Sequence, residues 1–331
     1  MAMIRSLLPW LDGHKIYVIC LDEGSHRFVR AANLRNVTAL SITQFEKYGL
    51  TDLRDSRTPL EFAWTMSSFS LQFIFDLDLD VKILTYIDAD MFFFKNPLPI
   101  LETFESSGTG ALITEHSYSP TFARLEKKYG KYNVQFVSVK RVVGNQIWRE
   151  WVANCRNWCF ARHENGQFGD QKYLDSWPND YPGLISVWPH PEQFQGPWNM
   201  ERYKPEDAVS FHFSSLKRIS PWISEMASSG YRVPAIYRES IYRPYLRKLR
   251  LAELEIAAST FPDHIQKSMI RNLDGKLLVS LPKLANIAIA VPAISLLGAA
   301  LTSLWRLTAR LTMLVGDLPA IVKALSKVWS R

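Results

Sequence analysis

Two aspartates one residue apart, Asp88 and Asp90, end the apolar run Ile83-Leu-Thr-Tyr-Ile87 and lead directly into Met91-Phe-Phe-Phe94 and Pro97. In an extended strand, side chains two positions apart share a face, so the two carboxylates can converge on one point. Carboxylates that close repel each other unless a cation lies between them, and hard oxygen ligands suit Mg²⁺ or Mn²⁺. Such ions keep part of their shell for substrate phosphates. The pair therefore reads as a metal site serving a phosphate-bearing substrate. A solvated turn is the plain alternative for Asp-x-Asp. Such a turn is not normally set between two apolar runs, where unpaired charge is costly.

Further along the chain, Gly169-Asp170-Gln171 follows a polar loop, residues 162–167, and opens a predicted helix that ends near Trp177-Pro178. The pair can cap that helix, or it can present a carboxylate and an amide to a polyhydroxylated substrate. Val209–Phe213 reads as a short strand carrying His212, with Lys217 five residues on. A lone strand histidine can be a satisfied core residue. Beside an Asp-x-Asp and a lysine, a ligand role weighs equally. Cys20, Cys155 and Cys159 make no disulfide framework and have no metal-ligand companions, so they read as buried free thiols of a reducing compartment.

The elements that must position these groups alternate in type. Strands are expected at Lys15–Leu21, Val37–Ile42, from Ile83, at Ala111–Thr114 and at Asn133–Val139, with helices over Pro59–Leu77 and Gln146–Arg162. This alternation predicts an α/β fold with a mostly parallel sheet. Ligands in such sheets bind beyond the carboxyl ends of strands, where Asp88 and Asp90 fall.

Taken together, Tyr86-Ile-Asp-Ala-Asp90, Lys131-Tyr-Asn-Val134, Phe168-Gly-Asp-Gln-Lys-Tyr-Leu-Asp175 and His212-Phe-x-x-Leu-Lys217 resemble a known family. The order is that of GT-A glycosyltransferases of the glycogenin and bacterial lipopolysaccharide-hexosyltransferase type (family 8-like), and it covers about residues 1–245. The resemblance implies a Rossmann-like mixed sheet flanked by helices. It implies transfer of a hexose from a nucleotide-diphosphate sugar, a UDP-sugar in the family pattern, with retention at the anomeric carbon. By position, Asp88, Asp90 and His212 would hold Mn²⁺ or Mg²⁺, with Asp88 also meeting the nucleotide. Lys217 would neutralise the leaving diphosphate, Asn133 and Arg57 would contact the donor, and Asp170 and Gln171 would lie beside the sugar. Pro197-Trp198-Asn199 would shape the acceptor side. The chain departs from the family at Gln135 and at Ser214-Ser215, where the family carries glycine. Relatives also open with a strand and helix ahead of the strand matching Ile16–Leu21. Met1–Trp10 resembles only the end of that helix, so the family's first strand is expected to be missing from this sequence.

The formal net charge of the 331 residues is +7. Seven Lys/Arg and one Asp fall between Lys276 and Arg331, leaving 32 basic and 31 acidic groups elsewhere. A nearly neutral body argues against a nucleic-acid surface. The basic end is also apolar: Leu284–Trp305 carries no charge, and Leu304, Leu307, Leu311, Leu314 and Leu318 share a face opposite Arg306 and Arg310. Segments of this kind are drawn to anionic membranes, lying in the interface or, at this length, crossing it. Soluble packing on the core is the alternative. The expected organisation is therefore a GT-A domain over 1–245, a helical linker over 246–275 and a membrane-associating amphipathic tail over 276–331. No secretory signal is read at the start, which places the protein in the cytoplasm at the inner membrane face with a glycan or lipid-linked acceptor. Two other readings use the same residues. One is a non-catalytic, membrane-associated GT-A relative with an incomplete donor pocket. The other is a haloacid-dehalogenase-type phosphatase built on Asp88, Asp90, Asp170 and Asp175.

Overall fold

A computed structural model describes residues 1–214, 216–220, 223–226 and 230–258. Its strands are β1 (Ile16–Cys20), β2 (Val37–Ser41), β3 (Ile83–Ile87), β4 (Met91–Phe93), β5 (Ala111–Glu115) and β6 (Tyr132–Lys140). They continue with β7 (Ile185–Val187), β8 (Phe194–Gln195), β9 (Ser210–His212), β10 (Lys217–Ser220) and β11 (Ile223–Glu225). The α-helices are α1 (Ala2–Leu7), α2 (Glu23–Ala31), α3 (Leu50–Asp55), α4 (Pro59–Leu77) and α5 (Leu98–Ser106). After them come α6 (Leu125–Tyr129), α7 (Asn145–Asn157), α8 (Trp177–Asp180), α9 (Ala235–Tyr237) and α10 (Arg243–Ala258).

Local chemistry sets the boundaries of α4. Thr58 and Glu61 form a reciprocal capping box, and Pro59 occupies the first turn, where its missing N–H costs nothing. The helix then runs over the predicted residues. Helix α7 is shorter than expected. It stops at Asn157 because Trp158 turns extended, at φ −151° and ψ 121°, and leaves Cys159 buried beyond the helix. The segment after Gly169 forms a 3₁₀ turn over Gln171–Asp175 followed by the one-turn α8, instead of one helix.

The sheets are mixed and flanked by helices, as the motif resemblance implied, which corrects the mostly parallel sheet expected from the alternation of elements alone. The largest has the order β3-β6-β5-β7, with β6 antiparallel to both neighbours and β7 parallel to β5. The reason lies in the β5–β6 connection, which contains only a 3₁₀ turn at Pro120–Phe122 and the short α6. The strand turns back instead of crossing over a long helix to return parallel. A second sheet, β4-β9-β8, is antiparallel at β4–β9 and parallel at β8–β9. Strands β1 and β2 pair in parallel, and β10 pairs with β11.

Alternation along the strands splits the core. Ala111, Ile113, Val137 and Val139 join Phe69, Phe73, Trp148 and Trp151 of α4 and α7 on one face of the large sheet. Leu112 and Phe136 turn the other way, toward Met91, Phe93, Phe104 and Phe194. The sheets thus meet across the junction that carries Asp88 and Asp90. Helix α10 adds aromatic packing, with Tyr245 stacked on Phe213 at 3.7 Å and an interplanar angle of 12°. Its Glu255 pairs with Arg5 at 2.6 Å. The linker expected over 246–275 is described as far as Ala258, where it continues α10. The tail expected over 276–331 lies outside the described residues. No helix among the described residues is long and apolar enough to cross a membrane.

The start of β5 and the start of α7 touch through two glycines. A Cβ on Gly144 would stand 2.3 Å from the Gly110 carbonyl oxygen and 2.8 Å from that of Lys140, both rigid backbone. Gly144→Ala is therefore expected to destabilise by about 1–3 kcal/mol. The measurement is urea unfolding, read as a lower midpoint at unchanged slope.

Candidate metal centre and cleft

Strand β3 ends at Ile87, and the chain reverses at once to begin β4 in the other sheet. The Met91 N–H donates to the Asp88 carbonyl at 3.1 Å, so Asp88-Ala89-Asp90 is a turn and not the extended end of a strand. This differs from the strand geometry expected above. The change of sheet between β3 and β4 requires it, and the turn still converges the carboxylates. Backbone bonds hold it from both sides. The Asp88 N–H donates to the Gln135 carbonyl at 3.2 Å, and the Phe213 N–H donates to the Asp90 carbonyl at 3.0 Å. Gln135 lies where the β5–β6 register shifts, between Leu112↔Ser138 and Thr114↔Asn133, and such an irregularity re-aims the backbone locally.

The β4–β9 ladder brings in the third group. Its register pairs Met91 with His212, which lays the imidazole beside the turn. His212 Nε2 stands 3.0 Å from Asp90 Oδ1 and 3.5 Å from Asp88 Oδ2. One ligand atom from each of the three residues lies within 4.8 Å of the others. At metal–ligand distances of about 2.0–2.1 Å, two ligands at right angles stand about 3 Å apart. The chain's spacing suits a small divalent cation. Tyr86 orients the set, its hydroxyl donating to Asp88 Oδ1 at 2.7 Å.

Burial raises the Asp88 carboxyl above its ordinary range; His212 opposes the shift, and the neighbouring Asp90 adds to it. Burial acts the same way on Asp90, but the His212 imidazolium overrides it and holds that half-exposed carboxyl low. Burial works against the imidazolium as well, yet Asp90 and then Asp88 retain its proton to about pH 9. Without a cation, a proton on His212 does the cation's work.

These groups open into a cleft of about 930 Å³, which Asn133, Asp170 and Gln171 also line. Asp170 is buried and accepts from Ser67 Oγ of α4 at 2.5 Å. Burial pushes its carboxyl up to about 7; the charge of Asp88 adds to this and Ser67 opposes it. Trp151 of α7 fixes the backbone there, its indole donating to the Asp170 carbonyl at 3.0 Å. Gln171 donates through Nε2 to the Tyr129 carbonyl at 2.7 Å. Asn133 Oδ1 accepts from the Gln135 N–H at 2.9 Å.

Two expected contributors lie elsewhere. Arg57 is buried outside the cleft lining. It donates to Thr65 Oγ1 and to the carbonyls of Cys155 and Arg156, joining α4 to the end of α7. Free carbonyls at a helix C-terminus are the natural partners of a guanidinium. Lys217 is exposed at the start of β10 and is not part of the lining. Ser67, Tyr86 and His116 do belong to the lining; Tyr86 stood in the sequence only as the opening of the acidic motif, and Ser67 and His116 were not singled out. The signal for His116 was slight: a polar Thr-Glu-His that closes the strand Ala111–Glu115. Cys20, Cys155 and Cys159 are buried and free, as read.

No family model matches the chain. Two uncharacterized proteins of Bacillus subtilis (strain 168) are similar to it. YfnF is 26% identical over 236 residues, covering 66% of this chain and 78% of its own length. YfnD is 26% identical over 286 residues, covering 80% and 88%. Among solved structures, the apo form of mouse xyloside xylosyltransferase 1 is similar over 70% of this chain and 92% of its own, with 13% identity and a TM-score of 0.41. A glycosyltransferase involved in the glycosylation of the major capsid of PBCV-1 matches 60% and 92%, with 10% identity and a TM-score of 0.37. Likenesses this distant carry no activity over to this chain.

The three-ligand arrangement has a testable pH signature. His212 is raised from 6.5 to about 9 in the folded protein, so the stability its proton supplies is complete below pH 6.5 and is lost as pH rises through about 9. A cation must displace that proton, so its binding strengthens over the same interval. The gain in melting temperature on adding Mn²⁺ is expected to grow from pH 6.5 to pH 9 and to vanish when Asp88 and Asp90 are both replaced by alanine. A gain that is flat with pH would count against His212 as a ligand.

Proposed function

We propose that this chain transfers a hexose from a nucleotide-diphosphate sugar, a UDP-sugar, to a glycan or lipid-linked acceptor. Mn²⁺ or Mg²⁺ would be held by Asp88, Asp90 and His212. The observation that carries the reading is the convergence of these three ligand atoms, within 4.8 Å, on a cleft that also holds Asn133, Asp170 and Gln171. The motif resemblance supplies the GT-A frame and, with it, retention at the anomeric carbon.

The chemistry fits the distribution of charge. Breaking a sugar–phosphate bond leaves an electron-poor sugar and a diphosphate bearing added negative charge. A bound divalent cation would neutralise that leaving group, the usual dominant electrostatic contribution. Asp170, close to neutrality in its titration, supplies a carboxylate that can face the cationic sugar without being solvated by bulk water. Gln171 has its amide nitrogen anchored on Tyr129, which orients its carbonyl oxygen. Asn133 is buried at the cleft and held by the backbone two residues on, an orientation suited to a donor hydroxyl. Lys217 and Arg57 lie outside the lining, so leaving-group charge falls to the cation in this reading. The lipid-linked acceptor and a position at the inner membrane face rest on the sequence of residues 276–331 alone.

The same placement of Lys217 and Arg57 favours a second reading, a protein that binds cation and nucleotide without transfer. The phosphatase alternative gains no support from Asp175. Its carboxylate accepts from the Lys131 N–H and from Lys172 Nζ and lies outside the cleft lining.

Donor hydrolysis across UDP-, GDP- and dTDP-sugars, with and without Mn²⁺, separates the readings. One donor is expected to turn over only with the metal, and Asp90→Ala is expected to lower that rate by about 10²–10³-fold. Metal-dependent binding without turnover would select the second reading. Failure of every nucleotide to bind would remove both.

A further inference from the structure

Asp170 is tied to α4 by a single hydroxyl. Its Oδ2 accepts from Ser67 Oγ at 2.5 Å, and both side chains are buried. The backbone that carries the carboxyl is already fixed. Trp151 Nε1 donates to the Asp170 carbonyl and the Gly169 N–H to the Phe160 carbonyl, each at 3.0 Å. Gly169 itself takes φ +54°, where a Cβ would stand 3.2 Å from the Trp64 ring. What remains free is rotation of the Asp170 side chain, and the Ser67 bond removes it. The other oxygen faces outward. Oδ1 has no hydrogen-bond partner in the protein, yet it is not among the buried atoms left unpaired, so it is open to the cleft that Asp170 lines.

Ser67 has one proton and two acceptors. Its Oγ also lies 2.6 Å from the Trp64 carbonyl one turn back on α4, an ordinary resting place for a helical serine hydroxyl. A carbonyl can only accept, whereas a carboxyl accepts when charged and donates when protonated. While Asp170 is charged, Ser67 gives its proton to Oδ2. When Asp170 is protonated, its O–H donates to Ser67 Oγ and Ser67 donates to Trp64. The contact is satisfied in both states, and the carboxyl keeps one direction in both. Packing alone needs no hydroxyl here, since alanine suits a helix interior better than serine.

We infer that Ser67 is a positioning residue of the transfer reaction, fixing Asp170 Oδ2 so that Oδ1 faces the electron-poor sugar. The assignment rests on the transferase reading above and adds the residue that aims its buried acid. Groups that face Asp170 from other elements do not share this role. The β3–β4 turn brings the charge of Asp88, which disfavours a second anion. Tyr86 from β3 and Cys155 from α7 are held neutral by burial. Lys172, two residues on, is taken by Asp175 at 2.6 Å. The N–H groups of Asp170 and Gln171 favour the charge less than Ser67 does. Burial pushes the carboxyl up to about 7 and Ser67 is the largest influence opposing it, so loss of the hydroxyl carries the carboxyl higher.

The experiment is Mn²⁺-dependent hydrolysis of UDP-, GDP- and dTDP-hexoses by the full chain, with kcat and KM followed from about pH 6 to about pH 9. Ser67→Ala removes the hydroxyl and Ser67→Thr returns it. Ser67→Ala is expected to lower kcat about tenfold with KM within about twofold, the pattern of an interaction made in the transition state. The acid limb of its kcat profile is expected to move up by about one pH unit, the worth of one hydrogen bond to a charge. Ser67→Thr is expected to restore both. In an Asp170→Asn background, Ser67→Ala should cost nothing further, because the two residues act as a unit. A fall in kcat with an unmoved limb, or losses that add in the double variant, would show a structural role and overturn the inference. If Ser67→Ala does not fold, Ser67→Cys, a weaker donor of similar size, must still move the limb upward, and an unmoved limb overturns the inference. Absence of Mn²⁺-dependent hydrolysis in the unaltered protein would overturn the transferase reading and this assignment together. Hydrolysis that the Ser67 variants leave untouched would overturn this assignment alone.

Discussion

Two carboxylates forced together where two sheets meet need a positive partner, and the surrounding structure is arranged to provide one. Asp88 and Asp90 cannot separate. The turn is closed by its own Met91–Asp88 bond and gripped from outside by Gln135 and Phe213. Relief comes across the β4–β9 ladder, where pairing Met91 with His212 leaves the imidazole within 3.0 Å of one acid and 3.5 Å of the other. A one-residue slip of that ladder would send His212 to the opposite face and leave both carboxylates unpaired. Register, turn and bulge are thus parts of one electrostatic solution.

That solution leaves an opening. A proton on His212 balances the acids only while pH permits, whereas a divalent cation balances them at any pH at which it binds. The neighbouring carboxyl shows the opposite treatment. Asp170 has no cation of its own; it is buried against α4 with one hydroxyl, Ser67, to stabilise its charge. Within one cleft, His212 holds Asp90 low while burial raises both Asp88 and Asp170. Environments that drive like groups apart in this way are characteristic of sites with divided chemical roles.

The sequence revealed those parts whose cause is local. Helix α4 was legible to the residue because Thr58, Pro59 and Glu61 are start signals that act within one turn. The acidic pair was legible because its apolar flanks are incompatible with an ordinary solvated turn. His212 was legible only as one of two alternatives, since its ligand geometry depends on a ladder formed across more than a hundred residues. Other features had no local cause to find. Arg57 sits beside a helix start and looks like a ligand-binding arginine, but the free carbonyls that capture it belong to α7, some hundred residues away. The antiparallel entry of β6 depended on how short α6 proved to be. His116 is one histidine after a strand until the fold sets Trp198 against it.

Stability alone gives no reason for this polarity. Exchanging a buried ionic cluster for apolar residues is often neutral or stabilising, and Met91, Phe93 and Phe136 already supply an apolar core beside the turn. The turn does not need its carboxylates for support, because main-chain atoms of Asp88, Asp90, Met91 and Phe213 and the carbonyl of Gln135 make its bonds. The Asp88, Asp90 and His212 side chains are thus relieved of structural duty, and His212 Nδ1 is buried with no hydrogen-bond partner. Locally consistent sequences break their own rules chiefly at functional sites. In this chain Asp88, Asp90, Asp170 and His212 share one cleft, and a bound cation would offset the charge gathered there.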